Sequence, residues 1–270
     1  MFPVDLVCIR HAQSEENLAT KKFKKGDESF FSPEFRNRHS RTFRLTDLGI
    51  EQAKCTGQWI KTNVPMPFDG FFVSDFIRAK ETAVYLNLPQ ARWVIKYELR
   101  ERDQAFVDDY QNAEQVSLLG GFKKHKYGKD LFYSYPPGGG ESIASLCQRI
   151  KTGPLHDLEI NNDNNRSVVV VCHGRVMRAL QLGLESLSRD DFVRLDKSKN
   201  PAERLLNCQI HWYTRRDPET FSEHPHFVAV RSVCVHGLKG DYGWRRIKRP
   251  TFSNEELMEE VRRYPCYLPE

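Results

Sequence analysis

The chain has 270 residues, 39% of them hydrophobic and 11% aromatic, enough to bury a large core within one elaborated domain. No apolar run approaches the roughly 20 residues that cross a bilayer, and a 29% charged fraction with a mean hydropathy of -0.61 excludes a membrane-spanning helix. A net charge of +5 is mild, so it permits an anionic ligand without demanding nucleic acid.

The opening Met1-Phe2-Pro3-Val4-Asp5 has neither a basic n-region nor an apolar h-region, and a cytoplasmic location is expected rather than secretion. Seven cysteines are an odd number, and Cys8, Cys147, Cys172 and Cys234 sit inside apolar patterns, as reduced core thiols do. From Val4 to Ile9 a β-branched run predicts a first strand that ends at Arg10-His11, and Ser14-Glu15-Glu16 then supplies a cap and an acidic first turn. Residues 21–44 hold eight Lys or Arg against three acids, an excess equal to the net charge of the whole chain, so electrostatic steering is expected there.

From Thr46 to Lys61 the apolar positions Leu48, Ile50, Ala53, Trp59 and Ile60 recur at helical spacing, and Pro65-Met66-Pro67 predicts a turn. Gly70 to Val73 reads as a compact strand, with Ser74-Asp75 able to cap a helix carrying Phe76, Ile77, Ala83, Val84 and Leu88. Glu141 to Leu158 predicts a helical stripe broken at Gly153-Pro154, with a polar turn from Asn161 to Asn165. Ser167 to Cys172 is too continuously apolar for a half-exposed strand, and His173-Gly174 leads from it into another helix. Cys208 to Tyr213 and Phe227 to Val235 read as strands near an edge, and Asn254 to Arg263 as a short terminal helix. The alternation predicts an α/β three-layer sandwich, with a mostly parallel central sheet covered by helices on both faces.

In such sheets ligands bind beyond the carboxyl ends of strands, where helix N-termini gather. Three junctions of this kind carry polar residues: Arg10-His11, Ser74 to Arg78, and His173-Gly174. Taken singly, each also reads as a solvated strand end, a helix-surface ion pair or a satisfied core histidine. Taken together, two guanidinium forks and two imidazoles at one edge suit a phosphate group.

The stretch from Ile9 to Asn17, Ile-Arg-His-Ala-Gln-Ser-Glu-Glu-Asn, resembles the R-H-G-x-S-x-x-N signature of the histidine phosphatase (phosphoglycerate-mutase-like) superfamily. Further stretches follow in family order: Leu45-Thr46 to Ala53 resembles L-T-x-x-G-x-x-Q-A, and Ser74-Asp75 to Ala83 resembles S-D-x-x-R-A-x-x-T-A. Leu99-Arg100-Glu101 is similar to the L-x-E acid motif, Gly139-Gly140-Glu141-Ser142 to G-G-E-S, and Val171-Cys172-His173-Gly174 to the strand that ends in H-G.

The resemblance implies a phosphoglycerate-mutase-like fold and the phosphatase branch of the superfamily. It implies that His11 is the nucleophile, that Arg10, Arg78 and His173 hold the phosphoryl oxygens with Asn17 and Gly174 beside them, and that Glu101 is the general acid. The implied activity is a phosphomonoester hydrolase acting through a phosphohistidine on a small phosphorylated metabolite or a phosphorylated macromolecule. No metal, cofactor or membrane partner is implied, and the oligomeric state is left open. Two rivals stand beside it: phosphoglycerate-mutase-type transfer at the same site, and a non-catalytic module that binds a phosphorylated ligand.

The chain departs from the family pattern at Ala12-Gln13, where Gly-Glu is frequent, and at Arg102 to Phe106, which lacks an early glycine. Asp103, Asp108 and Asp109 are rival acids, or else solvated loop charge. The whole of 1–270 reads as a single domain, with insertions at about 18–43 and 107–137 and a C-terminal extension after about 213. The insertions, including Lys123 to Lys129, are expected at the mouth of the site. Their basic residues are either solvated or a rim for polyanionic substrates, and Phe23, Phe30, Phe31, Phe35 and Phe43 leave a stacking surface for nucleic acid as a minor alternative. Cys208, His211, His224, His226, Cys234 and His236 fit no familiar zinc spacing and read as core cysteines and surface histidines.

Overall fold

A computed structural model describes residues 1–104, 130, 132–136, 139–160, 167–236 and 240–267. Asp108, Asp109, Lys123 to Lys129 and the turn from Asn161 to Asn165 lie outside the described residues.

The valine run of Ser167–Cys172 (β4) is buried at every position and lies inside the sheet. It pairs in parallel with Asp5–Arg10 (β1) on one side and Gly70–Ser74 (β2) on the other, and β2 pairs in parallel with Val94–Lys96 (β3). Beyond β1 the sheet changes character: Ile210–Thr214 (β5), Ala229–Cys234 (β6) and Gly240–Arg246 (β7) are added antiparallel, giving the order β3-β2-β4-β1-β5-β6-β7. β5 and β6, read from the sequence as near an edge, are the third and second strands from one edge. That edge is β7, whose Gly-Asp-Tyr-Gly-Trp-Arg-Arg carries no run of strand-forming apolar residues, and β3 is the other.

Helices follow in chain order: Glu15–Phe23 (α1), Pro33–Arg36 (α2), Asp47–Asn63 (α3), Ile77–Leu86 (α4), Ile143–Ile150 (α5), His156–Ile160 (α6), Gly174–Glu185 (α7), Arg189–Lys197 (α8) and Asn254–Val261 (α9). Alternation along β1 and β4 sorts them into two outer layers. Leu6, Cys8, Val168 and Val170 point to one face, against Leu146 and Ile150 of α5 and Val176, Met177 and Leu180 of α7. Val7, Ile9, Val169 and Val171 point to the other, against Ile60 of α3 and Ala79, Ala83 and Leu86 of α4. Each large aliphatic side chain buried this way stabilises the fold by about 1.5–3 kcal/mol relative to exposure. α3 and α4 touch at backbone distance, since a Cβ on Gly57 would lie 2.0 Å from the Leu86 carbonyl oxygen.

Two local readings change. The stripe from Glu141 to Leu158 starts at Ile143, capped by Ser142, and is not broken at Gly153-Pro154; α5 and α6 join through a π turn over Lys151–Leu155. Proline lacks the donor for a standard helical bond, and the wider turn accommodates it without ending the rod. At α4 neither Ser74 nor Asp75 is the cap residue; Phe76 is, without a side-chain bond. Among the described residues no helix is long and apolar enough to cross a membrane.

Candidate active site

β1, β2 and β4 are neighbours running in the same direction, so their carboxyl ends deliver Arg10-His11, Ser74 to Arg78 and His173-Gly174 to one sheet edge. The His11 amide donates to the Cys172 carbonyl at 2.9 Å, extending the β1–β4 ladder by one rung and bringing the two histidines together. Their ring centroids are 5.1 Å apart.

His11 is 2% exposed. Its Nδ1 faces the Ala12 carbonyl oxygen at 2.7 Å, and a carbonyl only accepts, so Nδ1 carries the proton. Nε2 is left with its lone pair and accepts from Arg78 Nε at 3.2 Å. Burial, and then the Arg78 and Arg10 guanidiniums, hold His11 well below the usual histidine range. The ring is a neutral imidazole at neutral pH, with its nucleophilic nitrogen turned toward cations.

Ser74 Oγ is the shared partner of Phe76 and His173. It accepts from the Phe76 amide at 3.3 Å and lies 2.8 Å from His173 Nε2. When the hydroxyl donates its proton to Nε2, the proton of the neutral His173 ring is on Nδ1. That Nδ1 is buried and has no hydrogen-bond partner among the described residues. Burial, followed by Arg78, His11 and Arg10, keeps His173 neutral as well. Phe76 packs edge-on against the ring, with centroids 5.0 Å apart.

The arginines are anchored but not exhausted. Arg78, 3% exposed, donates to the Ser40 carbonyl at 2.6 Å and meets Glu16 at 3.2 Å. Arg10 donates through Nη1 to the Leu205 carbonyl at 2.6 Å, while its buried Nε has no partner among the described residues. Gly174 lies against that guanidinium, where a Cβ would stand 3.4 Å from Nε. Burial lowers the Arg10 pKa and the nearby Glu101 charge offsets part of that effect. Arg10 Nε and His173 Nδ1 are thus two buried nitrogens without a partner among the described residues, beside a buried nucleophilic ring, and a phosphoryl group could satisfy both.

Asn17 holds position rather than simply facing the cavity: its Oδ1 accepts from the Ser14 amide at 3.3 Å and from Asn207 Nδ2 at 2.9 Å. Asn207 also donates to the His11 carbonyl at 3.1 Å. Glu101 is half-buried on the cavity wall, its Oε1 accepting from the Arg102 amide at 2.9 Å. Asp103 is exposed and is not among the described residues that line the cavity; Asp108 and Asp109 lie outside the described residues.

The Ala12-Gln13 departure is accommodated by packing. Ala12 is fully buried and its amide donates to Thr82 Oγ1 at 3.0 Å. Gln13 is clamped by Gln52 and Thr46, and a Cβ on Gly49 would lie 2.1 Å from the Gln13 carbonyl oxygen. The site opens into a cavity of about 1000 Å³.

Six of the eight cations of 21–44 divide into two sets. Lys22 pairs with Asp27, Arg38 with Glu15 and Arg44 with Glu81, whereas Lys21, Lys24 and Lys25 line the cavity. The phenylalanines of this stretch pack mostly on one another, Phe23 edge-on to Phe31, Phe31 edge-on to Phe35 and Phe35 tilted on Phe43, while Phe23 stays exposed and Phe30 lies under Lys22. Cys208, Cys234 and His211 are buried, with burial pressing His211 down to about 3. Among the described residues no three His, Cys, Asp or Glu are grouped to hold a metal. Sequence reasoning assigned no site role to Asn207, Arg175, Arg178 or Arg204, and saw Ser74 as a cap and as part of a polar junction without a role of its own. Arg175 and Arg178 could have been read from their i+1 and i+4 positions after Gly174, but Asn207 and Arg204 sit in a loop without a pattern.

The sequence pattern of the histidine phosphatase superfamily (branch 1) matches residues 6–209. The chain is 29% identical over 191 residues to the 2,3-bisphosphoglycerate-dependent phosphoglycerate mutase of Methylocella silvestris, covering 68% of this chain and 82% of that one. Among solved structures it is similar to the alpha-ribazole phosphatase of Shigella flexneri, with a TM-score of 0.59, 18% identity, and 83% and 95% of the two chains covered. It is also similar to the phosphoserine phosphatase of Entamoeba histolytica in complex with 3-phosphoglyceric acid, with a TM-score of 0.52, 22% identity, and 82% and 98% coverage. These structural likenesses show a shared fold.

Proposed function

Because the chain belongs to the histidine phosphatase superfamily, branch 1, we propose that it hydrolyses phosphomonoesters through a phosphohistidine formed on His11 Nε2. The observation that carries this reading is the His11 tautomer: a neutral, buried ring with Nδ1 tied to the Ala12 carbonyl and Nε2 directed at Arg78.

In the first step the Nε2 lone pair attacks phosphorus and the bond to the leaving oxygen breaks, with the protonated Glu101 carboxyl giving that oxygen its proton. Arg10 Nε, the Arg78 guanidinium and His173 Nδ1 donate to the equatorial oxygens, where charge is concentrated. In the second step the Glu101 carboxylate takes a proton from water, the water oxygen bonds to phosphorus, and the P–N bond breaks to restore the His11 lone pair. Asn17 and Asn207 act as positioning residues for the His11 backbone.

The curated relatives named as mutases support a second reading, in which the phosphoryl group is returned to a phosphoglycerate rather than to water. The wide polar cavity favours hydrolysis, because water reaches the phosphohistidine through it. A binding-only module would not require the nucleophilic tautomer. Seven free cysteines, four of them buried, support a reducing cytoplasm.

The test is to incubate the protein with a panel of phosphomonoesters, with and without chelator, and to follow inorganic phosphate and protein-bound phosphate. Hydrolysis with an acid-labile, alkali-stable phosphate on wild type and none on His11→Ala is expected. Transfer to 3-phosphoglycerate without phosphate release would establish the mutase reading instead.

A further inference from the structure

Glu101 follows a single helical turn, Tyr97–Leu99, and belongs to neither a helix nor a strand. Something else must fix its carboxyl, because a proton donor is effective only within hydrogen-bond reach of its acceptor. One ion pair grips the segment on both sides of it. Arg149, in the last turn of α5, reaches back along the helix and donates through Nε and Nη2 to Glu141 Oε1 and Oε2 at 2.6 and 2.7 Å. Its Nη1 donates to the Glu98 carbonyl, and Nη1 and Nη2 both stand 3.3 Å from the carbonyl of Arg100, just before Glu101. After Glu101 the contacts pass to Glu141. Its amide donates to the Asp103 carbonyl at 2.9 Å, its Oε2 accepts from the Asp103 amide at 3.2 Å, and its carbonyl accepts from Arg102 Nε at 2.7 Å. The Arg102 amide in turn donates to Glu101 Oε1. The base of this clamp is fixed, since Ser142 caps α5 directly after Glu141 and Leu146 and Ile150 bury the helix in the core. The Arg149 and Glu141 side chains are 12% and 14% exposed, so salt and water screen the pair weakly.

We infer that Glu141 and Arg149 are positioning residues for the general acid, a clamp that holds the Glu101 carboxyl where it can protonate the leaving oxygen. The inference rests on the reading of Glu101 as proton donor and deepens it by naming what places that donor. Neither residue is among the described residues that line the cavity, so the clamp acts through the 98–103 segment and not by touching the substrate. A shift of about 1 Å at a reacting group can cost about 10²-fold in rate, which gives a contact this far from phosphorus its leverage. Arg149 has one other route to the chemistry: its charge is the last and weakest of those that press His173 down. A loss transmitted through His173 would slow every phosphomonoester alike, whereas a misplaced acid harms only the substrates that need a proton.

The experiment pairs kinetics with amide exchange in two variants. Glu141→Gln keeps the shape and removes the charge that Arg149 grips, and Arg149→Lys, the milder change, keeps the charge and removes the fork. Thermal melts establish that the variant used is folded. Each should lower kcat/KM for an alkyl phosphate at least about fivefold more than for an aryl phosphate with an acidic phenol, because only the alkyl oxygen needs the proton. Adding Glu141→Gln to Glu101→Gln should leave the alkyl-to-aryl ratio within about twofold of the Glu101→Gln value, since the group being placed is already gone. In both single variants the Arg102 and Asp103 amides should exchange with heavy water at least about tenfold faster than in wild type, while the amides of β4 keep their rates. Equal losses for the two substrates, a ratio that falls further in the double variant, or unchanged exchange at Arg102 would overturn the inference. Exchange is read without turnover, so a wild type that hydrolyses neither substrate, with an Arg102 amide that responds as expected in the variants, would leave the clamp standing and sink the hydrolase reading alone.

Discussion

Arg78 Nε donates to His11 Nε2 over 3.2 Å, so the one nitrogen of the ring that holds a lone pair is pressed against a permanent cation. This contact is both an obstacle and a preparation. It keeps the imidazole unprotonated, and an incoming phosphoryl oxygen would take over the guanidinium as the lone pair turns to phosphorus.

Replacing Arg78 is expected to damage catalysis more than binding. Arg78→Lys keeps the charge but loses the planar fork that reaches His11, the Ser40 carbonyl and Glu16 at once. A fall in kcat of about 10² to 10³ is expected, the usual size for losing one donor to a charged transition state. Steady-state kinetics on a phosphomonoester check this, and a kcat within a few-fold of wild type would contradict it.

Ser74→Ala removes the hydroxyl that meets His173 Nε2. The ring then loses the bond that orients it, and a loss of about 10- to 100-fold in kcat/KM is expected, as when a histidine loses its orienting bond. Nitrogen chemical shifts of the His173 ring should show the tautomers mixing. Unchanged shifts would mean that Ser74 does not select the tautomer.

Glu101→Gln should slow alkyl phosphates far more than aryl phosphates whose phenols leave without a proton. The gap should fall within the roughly 10² to 10⁴ that general acid catalysis supplies. With water activation also impaired, the aryl substrate should give a burst of phenol followed by slow turnover. If both substrate types decline equally and no burst appears, Asp103, Asp108 or Asp109 becomes the acid to test.

Acid should destabilise the fold earlier than carboxylate titration alone would. His11 and His173 are held well below the normal range and His211 at about 3, chiefly by burial. The unfolded chain protonates them near pH ~6.5 while the folded chain does not, so the unfolded state binds more protons and stability falls as pH drops below that value. Above it these groups contribute no slope. Each adds up to about 1.4 kcal/mol per pH unit, and His211→Phe should remove about a third of the histidine contribution. Urea unfolding from pH 7.5 to 5 reads this directly; a flat profile would mean that the rings protonate in the folded state.

Two glycine replacements separate stability from activity. Gly57→Ala drives a methyl into the Leu86 carbonyl and Gly49→Ala drives one into the Gln13 carbonyl. Both should cost about 1–3 kcal/mol or more by overpacking. Only Gly49→Ala displaces a residue of the cavity wall, so only it should also lower kcat/KM in the population that remains folded. Thermal melts alongside activity per folded molecule distinguish the two.

The parts of the fold that rest on burial alone were legible. The valines of β4 and the alternating β1 announce a central sheet with two covered faces, and the order of Arg10-His11, Arg78 and His173 announces the shared edge. What could not be read depends on partners distant in the chain. β7 is polar and becomes a strand because β6 offers it an edge, and Gly153-Pro154 looks like a stop but is absorbed by a π turn. Asn207 and Arg204 have no local pattern, and Ser74 has a cap's composition but spends its hydroxyl on His173. The eight cations of 21–44 were visible as a cluster, while separating Lys22, Arg38 and Arg44, which pair, from Lys21, Lys24 and Lys25, which line the cavity, needed Glu15, Asp27 and Glu81 placed in space.

The segment before β5 clasps the end of β1: Leu205 accepts from Arg10, Asn207 holds the His11 carbonyl, and the Cys208 amide donates to the Arg10 carbonyl. The first two of these contacts join positions 195 and 196 residues apart. On a ribosome adding ~5–20 residues per second, Arg10 and His11 therefore emerge about 10 to 40 s before the chain that completes their surroundings. For that interval Arg10 and His11 are in place in the chain without the contacts that fix their geometry, so a newborn chain carries the histidine well before it carries the site.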